Sequence, residues 1–481
     1  MTVSTTSYDA IVVGAGPNGL AAAVTLARAG RSVLVVEAAD EIGGGTRSAE
    51  VTEPGFIHDI CSAVHPLLMA SPFFKQQPLV EHGLHLAHPA TLLAHPLDDG
   101  TTAVMDRDIA GTASCLGPDG PAYEKMMTPL VRNADAIVDA VMRAPLFPHH
   151  PFKALPFGPY AIRSAAALAA SKFATPRAKA LHAGIAAHSM LPLDRVPTAA
   201  VGLFLGLLGH AYGWPVVRGG SQRIAEALGA ELIALGGDIK TGWRVQRFDE
   251  LPTADTVLFD LTPRQVLAIA GDRFPAGYRR RLERFRYGPG VFKIDWALDG
   301  PVPWKAEACR DAGTVHLGGT LAEVAASEDA VTRGVHPDRP FVLFAQPDVA
   351  DLSRSPEGKS TAWAYCHVPS GSTVDMTSAI EDQVERFAPG FRDQIIGRSV
   401  MGPAAVEAHN ANYIGGDING GVQDLRQLFT RPVLRWPPYS TPDPKIWLCS
   451  SSTPPGGGVH GMCGMNAANA VLRRQRRRHR R

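Results

Sequence analysis

The chain has 481 residues, 45% hydrophobic and 19% charged, an ordinary balance for a soluble globular protein and enough chain for two domains with full cores. Its 47 basic and 46 acidic residues nearly cancel, but seven of the basic ones are arginines within the last nine positions; the remaining 40 leave the body mildly acidic. The six cysteines (Cys61, Cys115, Cys309, Cys366, Cys449, Cys463) form no CxxC pair, which argues against a redox dithiol or a zinc site and predicts free thiols in a reducing, cytoplasmic setting.

The first ten residues are polar and run straight into an apolar strand, so no secretory leader is expected. From Tyr8 to Glu37 the order is strand, glycine-rich turn, helix, strand and acid. Gly14, Gly16 and Gly19 have the dinucleotide-binding spacing. Gly14 permits the tight turn, Gly16 admits a pyrophosphate, and Gly19 lets the helix pack on the sheet. The phosphates would sit at the helix start around Pro17 and Asn18, where unpaired N–H groups point outward. Glu37 stands where an acid hydrogen-bonds a ribose hydroxyl. Directly after it comes a second glycine-rich loop, Ala38 to Ser48, with Gly43, Gly44, Gly45, Thr46 and Arg47. A nicotinamide dehydrogenase has no need of such a loop.

The Pro- and His-rich stretch Pro66 to Pro96 reads as a crossover to a second domain, and residues 100 to 214 carry helical periodicity broken by prolines. The apolar run Thr198 to Ala211 is interrupted by glycines and falls short of the roughly 20 residues of a spanning helix. Ser221 is expected to cap a helix through Leu235. Asp238 to Val245 and Thr256 to Leu261 read as strands. Val291 to Leu298, Phe341 to Gln346 and Thr361 to Val368 suggest an antiparallel sheet flooring a substrate site, and residues 374 to 396 look helical. A short strand, Lys445 to Ser450, then leads through Pro454-Pro455-Gly456-Gly457-Gly458-Val459-His460-Gly461-Met462-Cys463-Gly464-Met465-Asn466 into a last helix. The tail Arg473 to Arg481 is expected to be a disordered basic end, able to contact an anionic membrane. No aromatic residue interleaves with its arginines, so no specific nucleic acid is expected.

The paired N-terminal loops and the closing GGG-x-x-GMCGMNAA string resemble the phytoene-desaturase-like FAD-dependent oxidoreductases, in particular the branch of pyridine nucleotide-disulfide oxidoreductase domain-containing protein 2. The resemblance extends over the whole chain. It implies an α/β fold: a Rossmann-type FAD-binding domain of the amine-oxidase and carotenoid-desaturase kind with an inserted mixed α+β substrate domain. The expected division is FAD-binding segments 1–100, 215–288 and 437–472, substrate segments 101–214 and 289–436, and the tail 473–481. It also implies that Ala38 and the loop to Arg47 pack around FAD, that Val245 passes the adenine, and that Gly461, Gly464, Met465 and Asn466 approach the flavin.

With a flavin bound non-covalently to accept hydride, the protein need only bind, orient and exclude water. There is no HExxH, no GxSxG elbow and no second Rossmann glycine motif, so neither a metal nor a separate nicotinamide cofactor is expected. Reoxidation by oxygen or a quinone follows. His316, His367, His460 and Asp59 are the candidate catalytic residues, each with a structural alternative. The leading expectation is dehydrogenation or desaturation of an apolar, isoprenoid- or lipid-like substrate. Amine oxidation, a non-redox isomerase and a flavin-binding regulatory protein remain open.

Overall fold

The computed structural model describes residues 7–143, 149–428 and 430–479. Strand β1 (Tyr8–Val13) buries its last four residues and β2 (Val33–Val36) buries all four, as strands covered by helices on both faces must. Between them α1 (Pro17–Arg28) opens with Pro17 at its first position, where a missing N–H costs nothing. Its first turn holds no acid of its own, and of the N–H groups there Gly19's is taken by the Asp260 carboxyl at 2.8 Å.

The chain then supplies β3 (Thr91–Pro96), β4 (Thr102–Met105), α2 (Pro176–Ala187), α3 (Thr198–Tyr212), α4 (Gln222–Ala234), β5 (Asp238–Lys240) and β6 (Ala254–Phe259). After these come β7 (Gly290–Leu298), β8 (Ala312–Leu317), α5 (Leu321–Thr332), β9 (Val342–Ala345), β10 (Ser360–Val368) and β11 (Ile395–Met401). The last elements are α6 (Pro403–His409), β12 (Ile446–Leu448) and α7 (Met462–His479), with further helices, among them Gly120–Arg132 and Thr377–Phe387, in the connections. One sheet is parallel throughout, in the order β12-β6-β1-β2-β5. The other has the order β11-β7-β10-β9-β8-β3-β4 and is antiparallel except where β8 meets β3.

Helix α2 lies on the second sheet through Ala183, Ala186 and Ala187, which pack against Phe341, Leu343 and Trp363. Its approach is close because Gly184 has no side chain: a β-carbon there would stand 2.7 Å from His316 Nδ1 and 2.8 Å from His95 Nδ1. The glycine-broken run from Thr198 is α3, with Leu203, Leu207 and Leu208 in the core. Among the described residues no helix is long and apolar enough to cross a membrane.

Several expectations move. β3 lies in the second sheet, so that sheet begins at Thr91 although the expected boundary is residue 100. Residues 408–413, within the segment expected to be substrate domain, line the nucleotide cleft. The strand from Asp238 stops at Lys240, the strand after it is Ala254–Phe259, and the helix within 374–396 is Thr377–Phe387 followed by edge strand β11. Ser221 makes no side-chain cap bond; its N–H donates to Asp59 Oδ1 at 2.7 Å instead. The basic tail is not a disordered end as far as it is described. It continues α7 to His479, because the helix starts in a packed core and arginine is a good helix former. The Arg474 guanidinium lies 5.8 Å from the Trp447 ring centre. Arg480 and Arg481 lie outside the described residues.

Candidate functional site

A cleft opens at the carboxyl ends of β1, β2 and β6, the usual ligand position in an open parallel sheet. Gly14, Gly16, Pro17, Asn18, Glu37, Ala38, Gly44, Gly45, Arg47 and Val245 line it. Its void, open mouth included, is about 1070 Å³. The three motif glycines do different work. A β-carbon on Gly19 would stand 2.0 Å from the Gly14 carbonyl oxygen, so this glycine serves helix-on-strand packing. Gly14 has φ +103° and makes the turn. A β-carbon on Gly16 would stand 2.9 Å from Asp260 Oδ2, inside the cleft.

Glu37 ties the two glycine loops together. Its Oε2 accepts the Ala15 N–H at 2.7 Å and its Oε1 the Ala39 N–H at 2.9 Å. The second loop folds back over the first: the Gly43 N–H donates to the Ala15 carbonyl at 2.9 Å, and a Gly44 β-carbon would stand 3.1 Å from Gly16 Cα. Thr46 braces the loop by donating to the Gly43 carbonyl at 2.9 Å. Arg47 donates through Nε to the Gly44 carbonyl at 3.1 Å and through Nη2 to the His409 carbonyl. Backbone exposed by missing side chains, an acid at the second strand end and a helix start facing the cleft fit a dinucleotide.

Gly461, Gly464, Met465 and Asn466 do not line the cleft. A Gly464 β-carbon would stand 1.8 Å from the Asn18 carbonyl oxygen, so this glycine lets α7 cross α1. Gly461 meets Phe73 and Ala21 in the same way, and Asn466 Nδ2 donates to the Met142 carbonyl at 3.3 Å. The closing segment reaches the cleft through Ser450, Ser451 and Ser452 instead. Buried Arg431 holds that wall, its Nη2 donating to the Gly420 and Ser451 carbonyls at 3.0 Å each.

Beyond Gly45 the cleft meets a group of half-buried and buried polar side chains. The Tyr413 hydroxyl fills the space beside Gly45, 1.9 Å from where a β-carbon would be. Cys61 is its hydrogen-bond neighbour, and burial raises the thiol's pKa. Behind them lies the second sheet, where Lys293 on β7 pairs with Tyr365 on β10 and Asp295 with Trp363. Lys293 and Asp295 form a salt bridge with 4% and 1% of their side chains exposed. The ammonium lies 5.4 Å from the Trp363 ring centre, and His58 Nδ1 lies 3.5 Å from Asp295 Oδ1. A lysine–aspartate pair this deeply buried, close to a ligand cleft, is a candidate functional group. β7 is buried along its whole length; two charges two residues apart in such a strand were the sequence signal for it.

The candidate catalytic residues separate. Asp59 is a structural clip. Burial alone would raise its pKa, but Arg354 at 3.0 Å and bonds from Ser221 and Ser48 outweigh it and hold the carboxyl below the usual range. His460 uses both ring nitrogens, Nδ1 accepting the Met462 N–H at 3.0 Å and Nε2 facing the Gly456 carbonyl at 3.1 Å. Burial lowers its pKa to about 4. His316 touches His188, Nε2 to Nε2 at 3.1 Å, and burial with the neighbouring imidazoles keeps it neutral. His367 alone has the form of a base: Nδ1 lies 2.9 Å from both oxygens of Glu328, and its buried Nε2 has no partner. Among the described residues no cluster could hold a metal ion, and all six cysteines are free.

Residues 12–75 match the NAD(P)-binding Rossmann-like domain family. Pyridine nucleotide-disulfide oxidoreductase domain-containing protein 2 of Rattus norvegicus is 27% identical over 97% of this chain and 93% of its own length. The chain is a near-full-length homologue of that oxidoreductase. Among solved structures, an oxidoreductase from Methanosarcina mazei superposes with TM-score 0.65 at 17% identity, over 97% of this chain and all of that one. Putrescine oxidase bound to putrescine superposes with TM-score 0.61 at 18% identity, over 98% of each chain. The amine-oxidase-like fold is therefore shared along the whole chain.

Proposed function

We propose that this protein is a cytoplasmic FAD-dependent oxidoreductase that dehydrogenates or desaturates an apolar, isoprenoid- or lipid-like substrate. The observation that carries this reading is the course of the cleft. It runs from the Rossmann sheet past Glu37 and the second glycine loop to Tyr413, so a two-part cofactor would have one half on the Rossmann sheet and the other toward the second sheet, where Lys293, Trp363 and Tyr365 lie. When bound, FAD supplies the two-electron acceptor, with oxygen or a quinone taking the electrons onward. The chain's own groups bind, orient and exclude water. Glu37 would take the ribose, the backbone at Gly16 to Asn18 the pyrophosphate, and Val245 the adenine.

A second reading, amine oxidation, gains support from one feature. Trp363 and Tyr365 are stacked at 6.0 Å with 14° between their planes, an aromatic wall that suits a neutral amine. The Lys293 ammonium beside Trp363 disfavours a cationic substrate. The test is anaerobic mixing of the purified yellow protein with candidate substrates. Bleaching of the flavin absorbance by a polyene precursor or lipid, and not by amines, supports the first reading; bleaching by amines alone overturns it.

A further inference from the structure

Asp260 follows β6 and is fixed at both ends of its peptide: its N–H donates to the Val13 carbonyl at 2.8 Å, and its carbonyl accepts Asn412 Nδ2 at 2.9 Å. The side chain is thereby driven into the concave side of the first glycine loop. Oδ2 accepts the Gly19 N–H at 2.8 Å. It stands 2.9 Å and 3.0 Å from where β-carbons on Gly16 and Gly19 would be. Asp260 is only 6% exposed, yet it lines the cleft. No described residue forms a salt bridge with it. This is the place where a doubly charged pyrophosphate must approach. A carboxyl there, without a counter-ion, is an obstacle when ionised and a donor when neutral.

The surroundings favour the neutral form. Burial, aided by the charge of Glu37 and against the Gly19 hydrogen bond, raises the Asp260 pKa well above its ordinary value. The other groups facing this spot do not compete in the middle pH range. Burial raises Tyr413, Cys449 and Cys463. His409 is lowered to about 4 by burial, with Arg47 and Lys293 adding to it.

We propose that Asp260 is a cofactor-binding residue that meets the pyrophosphate as a neutral carboxyl and donates its proton to a phosphate oxygen. This rests on the dinucleotide reading of the cleft. Above the pH at which the empty site loses that proton, binding takes one proton from solvent and release returns it. Cofactor affinity therefore falls as pH rises, by up to tenfold per unit for one linked proton. Asp260→Asn keeps an acceptor for the Gly19 N–H and a donor for the phosphate, with no proton to lose.

The test dilutes the FAD-loaded protein at pH values from about 6 to about 9 and follows free flavin by fluorescence, giving Kd at each pH for wild type and Asp260→Asn. The expected result is a wild-type log Kd that climbs with a slope approaching one, a flat variant, and a variant that binds more tightly than wild type at the alkaline end. Equal slopes in the two proteins overturn the proposal. If the variant does not fold, wild type decides alone, since a flat wild-type profile also overturns it. Wild type that holds no FAD at any pH overturns the dinucleotide reading as well, a different outcome from tight binding without pH dependence.

Discussion

Glu37→Gln changes almost no volume and tests the organisation of the cleft. The carboxylate accepts two backbone N–H groups, one from each glycine loop, at 2.7 Å and 2.9 Å. A carboxamide can accept only one of them, and its NH₂ must face the other N–H whichever way it turns. A hydrogen bond to a charged group contributes about 1.5–3 kcal/mol, so at about 1.4 kcal/mol per decade the loss corresponds to roughly 10- to 100-fold in affinity. The penalty falls on the cofactor because both loops line the cleft. Flavin fluorescence on dilution of the loaded protein gives Kd directly. A Glu37→Gln protein that holds FAD within twofold of wild type would refute this account of how the loops are held.

Gly464→Ala places a β-carbon 1.8 Å from the Asn18 carbonyl oxygen; overpacking of this kind costs about 1–3 kcal/mol, so thermal unfolding should come at lower temperature and FAD occupancy should drop, whereas an unchanged melting curve contradicts the helix crossing. Burial lowers the pKa of His65, His95, His182 and His460 to about 4. The unfolded chain binds these protons near pH 6.5 and the folded one does not. Stability is therefore complete above pH 6.5 and falls as pH drops towards 4, by about 1.4 kcal/mol per unit for each such group; denaturant melts that do not weaken over this window would contradict the burial. We propose peripheral membrane contact for the basic end of α7, where Arg473, Arg476 and Arg477 are exposed. Each surface-proximal basic residue can contribute about 1 kcal/mol, so truncation after Leu472 should abolish sedimentation with anionic liposomes at low salt; equal sedimentation of both proteins rejects the contact.

The sequence shows the dinucleotide half of the site because that half is local. Tyr8 to Glu37 is one strand–turn–helix–strand unit, and the second glycine loop follows it without a break. Asp260 was invisible for the opposite reason: a single acid after an ordinary strand acquires meaning only when β6 lies beside β1 and brings it to Gly19, 241 residues away in sequence. The same holds for Tyr413 and His409, which come from a segment without pattern. Lys293 and Asp295 were legible in principle as charges on one face of a wholly buried strand. The closing GMCGMN string shows what glycine content alone cannot distinguish. A glycine that admits a phosphate and one that admits a neighbouring helix look alike, and Gly464 admits a helix. His460, likewise set in a glycine-rich loop, pins that loop rather than facing a ligand.

The identity of the bound cofactor tests the central claim most directly. Protein purified from a flavin-replete host is precipitated with acid, and the supernatant is analysed by mass spectrometry and absorbance. The expected result is a yellow supernatant containing FAD in an amount close to one per chain, with a colourless pellet. A colourless preparation, or one that releases a nicotinamide dinucleotide and no flavin, would contradict the account.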